Sequence, residues 1–185
     1  MKKADWLMLC GSLQPGVPAD IYADLIQLAQ KSGVKTLLDT DGDALLRALE
    51  AKPTVITPNQ PEAERLLGRA ILTRTQSLEA VRRIHDMGPE AVILSMGSRG
   101  ALACNNDGVW EAPATLEWRR CVQSARAMPW RRAYVWAVEK KKTFPDALRW
   151  SVATGTATAI LPGTKFPSLD QVKAIYKNVE VRPVT

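Results

Sequence analysis

A chain of 185 residues with 46% apolar and 24% charged side chains has the size of one domain and enough apolar surface for a core. No apolar run approaches the roughly 18 residues that cross a bilayer, and Cys10, Cys104 and Cys121 are too scattered for a disulfide framework or a zinc site. The net charge of +6 is local, because Arg119, Arg120, Arg126, Arg131 and Arg132 fall within 118–132 and leave +1 elsewhere.

The amino-terminal "MKKADWLMLCGS" carries Asp5 inside a short apolar run and flows into a Gly/Pro turn, so it reads as a strand of a cytoplasmic protein and not as a signal peptide. "GSLQPGV" closes that strand. Helical spacing of Ile21, Leu25, Ile26 and Leu28 follows, with Pro18 before it and Gly33 after it. "KTLLD" is a second strand, "GDALLRALEA" a helix, "TVITPN" a third strand, and "PEAERLLG" and "SLEAVRRIHDMG" are helices before the strand "AVILS". His85, the only histidine, falls at the end of the last of these helices, where a solvated helix-end residue is expected. The alternation predicts an α/β fold with a largely parallel sheet covered by helices, within a single domain over 1–185. "GALACNNDGVWEA" then reads as a hairpin, and "AYVWAVEKKK", "TFPDALRWSVATGTATAI" and "SLDQVKAIYKN" as three helices, the second with small residues on one face.

In such sheets ligands gather beyond the carboxyl ends of the strands, and four segments fall there. "GSLQPG" offers small residues for close backbone approach. "LLDTDGD" places Asp39 and Asp41 at a strand end, where capping of the next helix is the plainer role. "TPNQPEAE" sets Asn59 and Glu62 at a strand-to-helix junction; an amide and a carboxylate oxygen there suit a hydrated Mg²⁺, and equally a capping box. "SMGSRG", which is Ser95, Met96, Gly97, Ser98, Arg99 and Gly100, has glycines spaced to turn backbone N–H groups toward phosphate.

Together "GSLQPGVP", "LLDTDGDAL", "TPNQPEAERLLG", "VILSMGSRGAL" and "ALRWSVATGTATAILPGT" resemble the PfkB family of carbohydrate kinases, of ribokinase-like fold, nearest the branch of 1-phosphofructokinase and tagatose-6-phosphate kinase. The resemblance covers nearly the whole chain and matches the carboxyl-terminal part of such a kinase, so a truncated ribokinase-like domain without lid or sugar-binding segment is expected. It implies ATP and Mg²⁺ as cofactors, Asn59 and Glu62 organising the metal, and the six residues from Ser95 to Gly100 against ATP. The implied acceptor is a sugar phosphate. No nucleic acid or membrane partner is implied, and an exposed sheet edge predicts self-association.

The family's G-A-G-D motif, whose glycines and helix N-terminus bind the transferring phosphoryl group and whose Asp is the base, should end at or near Ala127. No acidic residue occurs from Trp118 to Arg132. Ser-Ala-Arg-Ala-Met-Pro-Trp-Arg-Arg (124–132) can be encoded TCG GCG CGG GCG ATG CCA TGG CGG CGG; read from the third base this gives Gly-Ala-Gly-Asp-Ala-Met-Ala-Ala. A shifted frame between about Glu117 and Arg132 accounts for the arginine and tryptophan excess as well. The expectation is a phosphohexose kinase by descent, inactive as written. The alternatives are a non-catalytic nucleotide-binding remnant or interaction module, and a nucleic-acid binder using the Arg/Trp patch, which the frame argument undercuts.

Overall fold

Parallel strands buried on both faces read as unbroken apolar runs, and "TLL" and "AVIL" are such runs. Leu37, Leu38, Val92, Ile93 and Leu94 are at most 1% exposed, each contributing roughly 1.5–3 kcal/mol by burial. The computed structural model describes residues 4–114, 128–162 and 165–184. Among them seven strands form one sheet in chain order: β1 (Trp6–Cys10), β2 (Lys35–Asp39), β3 (Val55–Ile56), β4 (Ala91–Ser95), β5 (Ala101–Asn105), β6 (Gly108–Ala112) and β7 (Arg182–Pro183). The chain divides into two compact units, one of Met1–Ser95 with Ala103–Val109, the other of Met96–Leu102 with Trp110–Thr185.

In the first unit β1, β2, β3 and β4 pair in parallel, each with its neighbour. The helices between them are α1 (Ile21–Lys31), α2 (Gly42–Glu50), α3 (Gln60–Leu67) and α4 (Arg74–Asp86). α1 buries Ile26 and Ala29 while Leu28 is 61% exposed; at 100° per residue Leu28 lies far round the helix from Ile26, so it does not belong to the expected apolar stripe. Gly33, at φ +67, stops α1. α4 starts at Arg74, before the expected "SLEAV", because Thr73 and Gln76 form a reciprocal capping box. β3 is shorter than "TVITPN" suggests, since Pro58 cannot donate to a ladder. The backbone nonetheless stays alongside its neighbours: Thr57 N–H donates to Leu38 O (3.1 Å) and Ser95 N–H to Pro58 O (3.0 Å).

The second unit holds α5 (Met128–Glu139), α6 (Phe144–Ala159) and α7 (Leu169–Tyr176). Pro129 is the second residue of α5, inside the first turn where proline is tolerated, so it does not break the helix. α6 is capped by Thr143 and buries Ala147, Ser151, Ala153, Gly155, Thr156, Ala157 and Ala159. These small residues admit Val172 and Ile175 of α7, which close a core with Val179. β7, which no sequence pattern announces, pairs antiparallel with β6 (Trp110↔Pro183, Glu111↔Arg182), and Arg182 ion-pairs with Glu111 at 3.1 Å. Among the described residues no helix is long and apolar enough to cross a membrane.

Candidate active site

The carboxyl ends of β1, β2 and β3 meet in a knot of polar contacts within the first unit. Gly11 N–H donates to Asp39 O (2.8 Å), and the Tyr22 hydroxyl donates to Gly11 O (2.9 Å). Burial pushes the Tyr22 phenol above its ordinary pKa, with Cys10 and Asp39 adding to the rise. Thr57 Oγ1 donates to Asp39 Oδ1 (3.1 Å). Asp41 stands at the N-cap of α2 but makes no side-chain cap. It accepts instead from Ser12 Oγ (3.0 Å) and pairs with Arg65 of α3 (3.5 Å). The capping role expected for this pair of aspartates is therefore replaced by cross-loop bonding. Both acids tie the turn after β1 to the elements beside it.

At the next strand end the sequence alternatives for Asn59 and Glu62 become one geometry. Asn59 Oδ1 accepts from Glu62 N–H (2.9 Å), while the Glu62 carboxylate accepts from Asn59 N–H (2.8 Å) and Asn59 Nδ2 (2.6 Å). This is a complete capping box, followed by Pro61 in the first turn of α3. A parallel bridge sets Ser95 beside Asn59, so the end of β4 joins the same edge. Sequence reasoning missed Ser12, Tyr22, Thr57 and Arg65. Ser12, Thr57 and Arg65 lay in segments already quoted and Tyr22 did not, but all four are ordinary polar residues that the fold gathers.

The loop after Ser95 belongs to the second unit, apart from Ser95 itself. Gly97–Arg99 forms one 3₁₀ turn. Met96 N–H donates to Gly100 O (2.8 Å), Arg99 N–H to Met96 O (3.2 Å) and Gly100 N–H to Gly97 O (3.0 Å). Three of the amides expected to face phosphate are thus spent within the loop. Gly100 has its own reason to be glycine: φ is +96, and a Cβ would stand 2.1 Å from Ala112 O and 2.6 Å from Ala114 N. Gly97, at φ +55, is exposed, and a Cβ added there would meet nothing within 4 Å. Ala127, where the missing Asp is expected, lies outside the described residues, as do Arg119, Arg120 and Arg126. Arg131, by contrast, is buried and stacked on the Trp130 ring at 4.8 Å. Nor is His85 simply solvated: its Nε2 is shielded, with no hydrogen-bond partner among the described residues.

Residues 1–119 match the family described as pfkB family carbohydrate kinase. The 1-phosphofructokinase of Haemophilus influenzae is 38% identical over 114 residues, 61% of this chain and 36% of that protein. The 1-phosphofructokinase of Haloferax volcanii is 33% identical over 181 residues, 97% of this chain and 57% of that one. Among solved structures, phosphofructokinase-2 from Escherichia coli in complex with potassium superposes with a TM-score of 0.84 at 26% identity, covering 95% of this chain and 58% of that one. The chain thus spans between 36% and 57% of the length of these curated relatives.

Proposed function

This chain belongs to the pfkB family of carbohydrate kinases, and from that premise we propose that it is a sugar-phosphate kinase by descent that retains a Mg²⁺·ATP-binding edge and, as written, does not transfer the phosphoryl group. The observation that carries the reading is where the likeness stops. The family match ends at Arg119, just as the arginine-rich stretch begins, while similarity to the Haloferax relative runs over 97% of the chain. A local replacement inside an otherwise retained frame fits that pattern, and the replaced stretch is where the G-A-G-D motif belongs.

The described residues fit a hydrated divalent cation better than a protein cage. No group of three His, Cys, Asp or Glu side chains gathers closely enough among them to hold a metal. A carboxylate has about four acceptor sites, and Asn59 takes two of those on Glu62. A hydrated Mg²⁺ retains several waters and uses one or two carboxylates, and Glu62 is the carboxylate we propose for it. Bound there with ATP, the ion would neutralise charge on the phosphates. Asn59 holds the Glu62 carboxylate in one orientation, Ser95 lies beside Asn59, and the resemblance to the family gives the loop of Met96, Gly97, Ser98, Arg99 and Gly100 a contact with ATP. The acceptor in the ancestral reaction is a phosphorylated ketohexose. Without the Asp, no carboxylate within 118–132 takes the proton of its hydroxyl, a loss of about 10²–10⁴ in rate for the base alone.

The test is ADP formation from Mg²⁺·ATP with fructose 1-phosphate. The chain as written is expected to give none above background. Turnover by the unaltered chain would overturn the reading.

A further inference from the structure

In the second unit α5, α6 and the segment leading into α7 leave an open groove of about 350 Å³, to which Trp136, Trp150, Phe166 and Leu169 contribute. These side chains are not tucked away: Trp136 is 42% exposed, Phe166 72% and Leu169 56%. The tryptophans are nonetheless ordered. Trp136 and Trp150 meet edge to face at 5.0 Å, Trp150 lies on Tyr176 at 4.5 Å, and the Arg149 guanidinium closes the row 4.3 Å over the Tyr176 ring. One wall is therefore a braced aromatic surface, preorganised for a flat ring.

The groove's charge is one-sided. Among the described residues, Arg132 is its single ionisable lining residue and no carboxylate lines it. Arg132 is exposed and has no ion-pair partner among the described residues. A slot of this size, with aromatic walls and one cation, complements a flat ring bearing one negative group. None of its lining residues belongs to the strand-end cluster or to the loop of Met96 to Gly100.

We propose that this groove binds a planar aromatic anion, with the ring against Trp136 and Phe166 and the anionic group on Arg132. This binding is separate from that of the nucleotide.

The test uses 2-naphthoate and its neutral counterpart 2-naphthol, titrated into the full chain by calorimetry and followed by saturation-transfer NMR. One naphthoate site per chain is expected. Arg132→Gln should weaken naphthoate about tenfold, as for a lost charge-assisted contact, and leave naphthol unchanged. Trp136→Ala should abolish both, with the circular dichroism spectrum and thermal midpoint checking that each variant is folded. Saturating Mg²⁺·ATP should displace neither probe, so a failure of nucleotide binding and a failure of this site read out separately. The proposal is overturned if naphthoate does not bind or binds at many equivalent sites. It is equally overturned if Arg132→Gln affects both probes alike or neither, or if ATP competes.

Discussion

Glu62 caps α3, and under the proposed function it also serves the metal, a role that a substitution reads out through ATP binding. Glutamine keeps the bond from Asn59 N–H but sets a donor against Asn59 Nδ2, from which Glu62 Oε1 accepts, so Glu62→Gln should cost about 1 kcal/mol in denaturant unfolding. It should weaken Mg²⁺-dependent ATP binding about tenfold, because the carboxylate charge is gone. Asn59→Ala removes the cap itself and should cost about 1 kcal/mol in denaturant unfolding. Gly100 is the residue least open to change. Its φ is +96, and a Cβ added there would stand 2.1 Å from Ala112 O. Gly100→Ala should therefore destabilise by more than about 2 kcal/mol, read as a fall in the denaturation midpoint. The Tyr176 hydroxyl donates to Asp146 Oδ1, and its pKa is raised, first by burial and then by that bond and the Asp146 charge. A raised folded-state pKa favours the protonated form in the native state. Its contribution is therefore complete below the ordinary tyrosine value of about 10 and is lost as pH rises through the folded value. Stability should fall in alkali, and Tyr176→Phe should flatten that fall; equal slopes for the two proteins would contradict it.

At the scale of elements, every strand and helix with a buried face of several residues was legible. "KTLLD" and "AVILS" announced β2 and β4 because each carries a continuously buried run, Thr36 to Leu38 and Ala91 to Leu94. β7 was not legible, because two residues with a proline carry no periodicity and exist only through pairing with Trp110 and Glu111. The first turn of α4 was hidden for another reason: "TRTQ" is polar, and its signal is the Thr73–Gln76 box and not hydrophobicity. Thr73→Ala should therefore lower stability by about 1 kcal/mol without touching ATP binding, measured by urea unfolding and by nucleotide titration. The candidate site was legible as four strand ends, and Asn59 with Glu62 sits at the strand-to-helix junction that the sequence indicates. The loop of Met96 to Gly100 was located, but its amides were assigned outward, while the fold turns three of them onto the loop's own carbonyls. Hydrogen bonding inside a turn depends on φ at Gly97 and Gly100, which spacing alone does not reveal. Asp41 was misread for a similar reason, since its partners Ser12 and Arg65 are far apart in sequence and meet only in the folded chain.

For the whole molecule, the function we propose needs a kinase frame that keeps a phosphate-handling edge without the base and anion hole. Helix α5 forms although its first turn contains Pro129 and Trp130, because proline fits a first turn and Arg131 stacks on Trp130 within it. The helix that the family's motif would precede therefore forms with the residues this chain carries. The most direct measurement is a calorimetric titration of Mg²⁺·ATP into the chain in the presence of fructose 1-phosphate. Binding without transfer predicts a saturable, Mg²⁺-dependent isotherm for one site and a baseline that returns to zero after each injection. A sustained heat flow proportional to protein concentration, marking turnover, would contradict the account, and so would the absence of any saturable binding.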